Sequence, residues 1–269
     1  TAVKAIAPTF GGINLEDISS PRCFEIEERL KRELSTPVFH DDQHGTAIVV
    51  LAALINALKV VKKKLGDVRI VINGAGAAAT ATTKFLVFAG ANPKNIRVLD
   101  TKGILTLGRE HMSRSKDELA KLTNPKGERG NLKDALENAD VFIGMSAKNV
   151  LIPEWVDGMA EKPIVFALAN PDPEIDPKSV KKTKIAVFGT GRSDLPNQIN
   201  NVLAFPGIFR GALDADARQI TDEMKLAAAK AIASLVHAKK LSATYIVPDP
   251  FDKRVALAVA RAVKKVARK

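Results

Sequence analysis

Two short acidic runs carry the residues of this chain best suited to chemistry. They are Gly11-Gly12-Ile13-Asn14-Leu15-Glu16-Asp17-Ile18 and Phe39-His40-Asp41-Asp42-Gln43-His44-Gly45-Thr46-Ala47. Each follows a short apolar run and precedes a helical pattern, so both are expected at strand ends facing a cleft. Hard divalent cations such as Mg²⁺ and Mn²⁺ take oxygen ligands, commonly carboxylates completed by water and substrate. Four acids at two neighbouring turns meet that requirement. Helix capping accounts for such acids too, because Asp and Glu are favoured at helix starts, and spacing alone leaves both readings open. His40 and His44, four apart, would suit zinc, but no second Cys/His cluster accompanies them and Gly45 favours a turn or helix start.

The second candidate is Gly74-Ala75-Gly76-Ala77-Ala78-Ala79, which follows the apolar run Val68–Asn73 and opens a helical pattern. A strand, a glycine turn and a helix in that order suit a dinucleotide. The first glycine makes the tight turn, the second admits the pyrophosphate, and a small third residue, here Ala79 rather than glycine, lets helix and strand pack closely. Free N–H groups at the helix start favour the phosphates. Asp100 ends the next strand, where an acid accepts hydrogen bonds from the adenosine ribose and repels a 2′-phosphate. That favours NAD over NADP, with Lys102 weakening the preference.

These residues need elements to hold them. Between Asp67 and Gly191, β-branched runs alternate with helical patterns: strands over Val68–Asn73, Asn95–Asp100, Ala139–Met145, Ile164–Leu168 and Ile185–Gly189, helices over Ala78–Gly90 and Leu132–Asn138. Near-continuous apolar strands separated by helices predict a doubly wound parallel α/β sheet of Rossmann type, covered on both faces. Before it stand a strand Ala2–Ile6, a helix Ser20–Glu33, a strand Val38–His40 and a long apolar helix from Thr46 to about Lys63. After it come helical segments near Asp216–Ala238 and Lys253–Lys269. The expected division is 1–45 as part of a metal/substrate domain, 46–203 as the dinucleotide domain, and 204–269 as helices packing back on the first part. The active site then lies in the cleft between them.

Composition narrows the function classes. The net charge of +11 invites a nucleic-acid reading, but the lysines are scattered or sit on helix faces, and one Tyr and one Trp offer little for base stacking. No nucleic-acid partner is expected. Ala47–Leu58 is too short to span a bilayer and reads as a buried helix. The chain opens without a charged start followed by an apolar block, and the single cysteine, Cys23, precludes an internal disulfide. A cytoplasmic setting fits both observations.

Taken together the motifs resemble those of the malic enzymes. Phe39–Ala47 is similar to the family signature F-x-D-D-x-x-G-T-A, and Gly12–Ile18 to its other acidic motif. Ala169-Asn170-Pro171 resembles the substrate-contacting asparagine turn, and Thr190–Asp194 and Pro196–Asn201, leading into Phe205-Pro206-Gly207, resemble the small-subunit bacterial and archaeal branch. Leu195 departs from it, standing where many relatives carry an aromatic residue.

The resemblance implies that Glu16, Asp17 and Asp42 bind Mn²⁺ or Mg²⁺, and that Asp41 positions a catalytic lysine. Asn170, Asn201 and, less directly, Asn200 would contact malate or the nicotinamide end of the cofactor. The implied reaction is oxidative decarboxylation of L-malate to pyruvate and CO₂ with reduction of NAD, or of NADP, in a homodimer or higher assembly. The family's catalytic Lys and Tyr are expected in a region preceding this sequence, since neither Lys4 nor Tyr245 stands in a matching context. That gap motivates an alternative, a non-catalytic malic-enzyme-like module binding a nucleotide or organic acid. An unrelated NAD-dependent dehydrogenase would explain Gly74–Asp100 but neither acidic motif.

Overall fold

The computed structural model describes residues 2–267. The chain begins with a helical turn α1 (Ala2–Ile6), strand β1 (Ile13–Leu15), helix α2 (Arg22–Glu33) and strand β2 (Val38–His40). A five-residue π-helical turn, Asp41–Gly45, then leads into helix α3 (Thr46–Val61). The expected strand over Ala2–Ile6 is therefore a correction. The two-stranded sheet contains only β1 and β2, so this segment has no ladder to join. Its alanines favour a helix, which turns Val3 onto the small core of Leu15, Leu30 and Val38.

The larger unit contains β3 (Ile70–Asn73), α4 (Ala77–Phe88), β4 (Ile96–Asp100), β5 (Gly103–Ile104), α5 (Arg114–Thr123), α6 (Leu132–Leu136), β6 (Val141–Gly144), β7 (Ile164–Ala167), α7 (Pro177–Val180) and β8 (Val187–Thr190). Its sheet has the order β5-β4-β3-β6-β7-β8, with every pairing parallel except that of the edge strand β5. Alternate residues serve opposite faces. Ile70, Ile72, Val98, Val141, Ile143 and Phe166 join one core with Leu51, Leu54 and Leu86 of the helices. Val71, Leu99, Phe142 and Val165 join another with Leu136, Leu151 and Val156. Burial on both faces is why these strands read as unbroken apolar runs. The expected doubly wound α/β sheet is present, and its strand order reverses beside β3, where such sheets leave a crevice for ligands.

The chain closes with α8 (Phe205–Asp214), α9 (Asp222–Ser234) and α10 (Arg254–Ala267). The expected segment Asp216–Ala238 is shortened at both ends, to the stretch between the cap Thr221 and Ser234; residues 268 and 269 of the expected last helix lie outside the described residues. Helix α8 is not among the expected helices, because Pro206, Gly207 and Gly211 look like breakers. Proline in a first turn is compatible with a helix, and the two glycines lie where α10 presses close: a Cβ on either would overlap Val259 or Val263. Helix α5 is not among the expected elements, although Ser113 before the buried positions Leu119, Ala120 and Thr123 is a usable start signal.

Both chain ends meet in space. Phe209 of α8 packs edge-on against Phe39 of β2, ring centroids 5.8 Å apart. Helix α3 lies between the units, against α4 on one side and α9 on the other. The continuous helical stretch 41–61 is long and apolar enough to cross a membrane by length and composition, longer than Ala47–Leu58 implied because the π turn runs into α3. Its packing is that of a core helix: twelve of the sixteen residues of α3 are buried. Asn56, fully buried within it, donates to the carbonyls of Ala233 and Ile246, both at 2.9 Å.

Candidate active site

The acidic residues are brought together by strand register. β1 and β2 run parallel with Leu15 opposite His40, so Glu16-Asp17 and Asp41-Asp42 leave the same end of adjacent strands. The Asp17 N–H donates to Asp42 Oδ2 at 2.9 Å from a left-handed backbone (φ 56°), and Glu16 accepts from Asn14 Nδ2 at 3.2 Å. Asp41 is buried. Its Oδ2 accepts from Asn201 Nδ2 at 2.7 Å, across most of the chain, while its Oδ1 has no partner. Burial, and then the charges of Glu16 and Asp42, push its carboxyl up to about 6, against the lowering effect of Asn201. Glu16 and Asp17 are exposed, Asp42 half-buried.

These donors suit a hard cation in type: all are oxygens, they crowd like charges, and one buried carboxylate oxygen is unsatisfied. They are not drawn into a closed ligand set. Among the described residues no three His, Cys, Asp or Glu side chains stand at coordinating separations, and Asp42 is turned to the Asp17 amide. The histidines do not form a zinc pair either. His40 is fully buried with neither ring nitrogen hydrogen-bonded, its Nδ1 lying 3.8 Å from Asp42 Oδ2, while His44 faces the other way, to Glu27 and Lys225.

The π turn explains that division. Asp41 and Asp42 look forward into the acid cluster; Gln43 and His44 look back. Behind the turn, Glu27 accepts from Gln43 Nε2 at 3.1 Å and His44 Nε2 at 2.7 Å, and pairs with Lys31 at 2.5 Å. Burial alone would raise the Glu27 carboxyl, but His44 and Lys31 hold it below the usual range. Burial also holds His44 below its ordinary value, and burial with the charge of Lys31 does the same to Lys225. Gly45 is required for space: its backbone is ordinarily helical (φ −59°), but a Cβ there would overlap the Asp41 carboxylate.

At the dinucleotide turn, Gly74 has φ +131°, and a side chain would overlap the Met145 carbonyl. A Cβ on Gly76 would meet nothing within 4 Å, so the backbone there is open to an approaching phosphate. Ala77 is the first residue of α4, Ala78 is half-exposed, and Ala75 and Ala79 are buried. The π turn packs on this helix.

Asp100 ends β4, as expected of the acid that accepts from ribose hydroxyls and repels a 2′-phosphate, but it is already partnered. Its Oδ2 accepts from Arg109 Nη2 and, at 2.7 Å, from Lys116 Nζ, and its Oδ1 accepts from the Lys102 N–H at 2.9 Å. Burial opposes ionisation, yet these bonds keep the carboxyl below the usual range. With two cations on one acid the local charge is no longer negative, and the argument against a 2′-phosphate loses its basis.

Asn170 is exposed just beyond β7. Asn200 caps the turn Asn201–Leu203 by accepting from the Val202 N–H at 2.9 Å, leaving Asn201 to reach Asp41. Sequence reading missed Glu174, which is fully buried and accepts from the N–H groups of Ser146 at 2.9 Å and Ala169 at 3.0 Å. Burial raises its carboxyl; it ties together the loops after β6 and β7. Neither Lys4 nor Tyr245 joins the acids: Lys4 pairs with Glu33 and Tyr245 bridges to Ser242.

Residues 43–268 match the family model described as malic enzyme, NAD binding domain. The chain is 56% identical over 266 residues to the bifunctional malic/malolactic enzyme of Bacillus subtilis (strain 168), covering 98% of this chain and 64% of that protein. It is 58% identical over 265 residues to the NAD-dependent malic enzyme of Geobacillus stearothermophilus, covering 98% of this chain and 55% of the relative. It thus spans only a little over half the length of these relatives. The crystal structure of malic enzyme from Pyrococcus horikoshii Ot3 superposes with a TM-score of 0.94 at 52% identity, covering 99% of this chain and 63% of that one.

Proposed function

The chain belongs to the malic enzyme family, and from that premise we propose that it supplies the dinucleotide site and the acidic cluster for oxidative decarboxylation of L-malate to pyruvate and CO₂, with reduction of NAD or NADP. The observation that supports this reading best is the parallel β1–β2 register, from which Glu16-Asp17 and Asp41-Asp42 leave the same end of adjacent strands. The turn holding two of them packs against the helix that begins at the dinucleotide loop. In this reading residues 1–45 and 204–269 form the acid-bearing unit and 46–203 the dinucleotide unit; the contact of Phe209 with Phe39 supports the pairing of the two ends.

Glu16, Asp17 and Asp42 would hold Mg²⁺ or Mn²⁺, which when bound supplies Lewis-acid polarisation of the substrate C2 oxygen. The protein's own groups do the rest. The free N–H groups at the start of α4 receive the pyrophosphate, and Asn170 and Asn201 orient the malate carboxylates or the nicotinamide. Asp41, held by Asn201, positions the general acid–base group. The nicotinamide, when bound, would supply the acceptor for the hydride of malate C2, while the hydroxyl proton passes to a base. The bond to the departing carboxylate then breaks, and a proton returns to the carbon it leaves. A homodimer or higher assembly in the cytoplasm belongs to the same reading, supported by family membership and by a buried, unpaired Cys23.

Among the described residues no lysine or tyrosine stands in the acid cluster to fill the acid–base role, and that favours one second reading, a binding module without turnover. Malate-dependent reduction of NAD and of NADP by this chain, with Mn²⁺ and with CO₂ release measured in parallel, separates the two. Equimolar reduced cofactor and CO₂ support the enzyme. Saturable cofactor and malate binding without turnover would favour the module.

A further inference from the structure

We propose that Glu27 and Lys225 are positioning residues, which grip the rear of the turn Asp41–Gly45 through His44 and thereby fix the carboxylates on its front. The grip spans three elements. Glu27 belongs to α2 and Lys225 to α9, and each is 4% exposed. Lys225 Nζ lies 3.1 Å from His44 Nδ1 and 3.0 Å from Asp222 Oδ1. An ammonium only donates, so His44 Nδ1 must accept; its proton is then on Nε2, aimed at Glu27 Oε1. Both ring nitrogens are thereby committed and the imidazole cannot flip without losing a buried partner. Gln43, the neighbouring residue, bonds to the other oxygen of the same Glu27. Two consecutive residues on the back of the turn are therefore fixed by one carboxylate, directly behind Asp41 and Asp42.

Stability alone does not explain this arrangement. Buried ion pairs are commonly replaced by apolar side chains of similar volume without loss, or with gain, of stability. Here the charges are retained beside an open cavity of about 630 Å³ that Glu27, Lys31, Gln43, His44 and Lys225 help to line. What the network provides, and an apolar core would not, is a unique direction for the turn. Where it concerns metal affinity, this inference rests on the function proposed above.

The test compares this chain with Glu27→Gln, which keeps volume, and with the apolar triple variant Glu27→Leu/His44→Phe/Lys225→Met. Expected are melting temperatures near or above the parent for the triple variant, NAD affinity within about twofold, and Mn²⁺ affinity lowered about 10- to 100-fold, the usual effect of losing an outer-shell orienting group. Amide exchange across residues 41–46, measured without metal, should quicken at least about tenfold in both variants, as local protection is lost without global unfolding. Equal losses of Mn²⁺ and NAD affinity would mean a merely structural role and overturn the proposal. If no protein in the series, parent included, binds Mn²⁺, the metal reading fails and exchange alone decides: unchanged protection overturns the proposal, faster exchange upholds it. Should the triple variant not fold, Glu27→Gln decides by the same readouts.

Discussion

Replacing Asp41 by asparagine should remove a pH dependence that this acid imposes on stability. In the folded chain its carboxyl stands at about 6 against an ordinary 3.8, raised by burial and by Glu16 and Asp42. A group that binds its proton more tightly when folded contributes stability fully present below its unfolded value and lost as pH rises through its folded one. The window is therefore about pH 4 to 6, and stability falls as pH increases. At about 1.4 kcal/mol per unit of difference, the loss comes to about 3 kcal/mol. Asparagine has nearly the same shape, can still accept from Asn201, and cannot ionise. Urea unfolding of both proteins in chelator at pH 4, 5, 6 and 7 measures the effect. The parent should lose up to about 3 kcal/mol relative to Asp41→Asn across the series. Parallel stability curves, or a parent that gains on Asp41→Asn as pH rises, would refute the account.

Two further substitutions test the site. Gly45→Ala should stabilise by about 0.5–1 kcal/mol on helix propensity alone, since its φ is ordinary; because its Cβ would overlap the Asp41 carboxylate, a net loss of about 1–3 kcal/mol is expected from overpacking. Adding Asp41→Gly should relieve it, and thermal melts of both variants decide the point. Lys116→Gln removes one cation from Asp100 and should lower affinity for NADP about tenfold with little change for NAD, consistent with losing one charge-assisted phosphate contact. Fluorescence titration reads it, and equal losses for both cofactors would show that the cation only steadies β4.

Much of this was legible because it depends on local pattern. The apolar runs of β3, β6 and β7 are buried on both faces, and Gly74 to Ala79 sits between strand and helix where the pattern put it. The acids at 16, 17, 41 and 42 were recognisable as strand-end residues. Their adjacency comes from the pairing of Leu15 with His40, which spacing could only suggest. What stayed hidden are partnerships between distant segments. The partners of Asp100 are hidden from the sequence because they lie 9 and 16 residues onward, on a loop and on α5. His44 was weighed only as a companion to His40. Nothing local indicates that a π turn sends the two histidines in different directions, or that Lys225, 181 residues away, receives one of them. Proline and glycine concealed α8 because their meaning there lies in the approach of α10, a tertiary fact.

The position of α3 limits how far this protein can be treated as interchangeable parts. A graft that exchanged residues 46–203 for another dinucleotide unit would carry away the helix on which α9 rests. It would also strip the carbonyls of Ala233 and Ile246 of the donor that Asn56 gives them, leaving polar groups facing a foreign apolar surface at a cost of about 1–3 kcal/mol each. Successful chimeras should therefore transfer α3 together with α9 and the loop through Ile246, or retain all three. The boundary that recombination respects here runs around that helix, not along either of its ends.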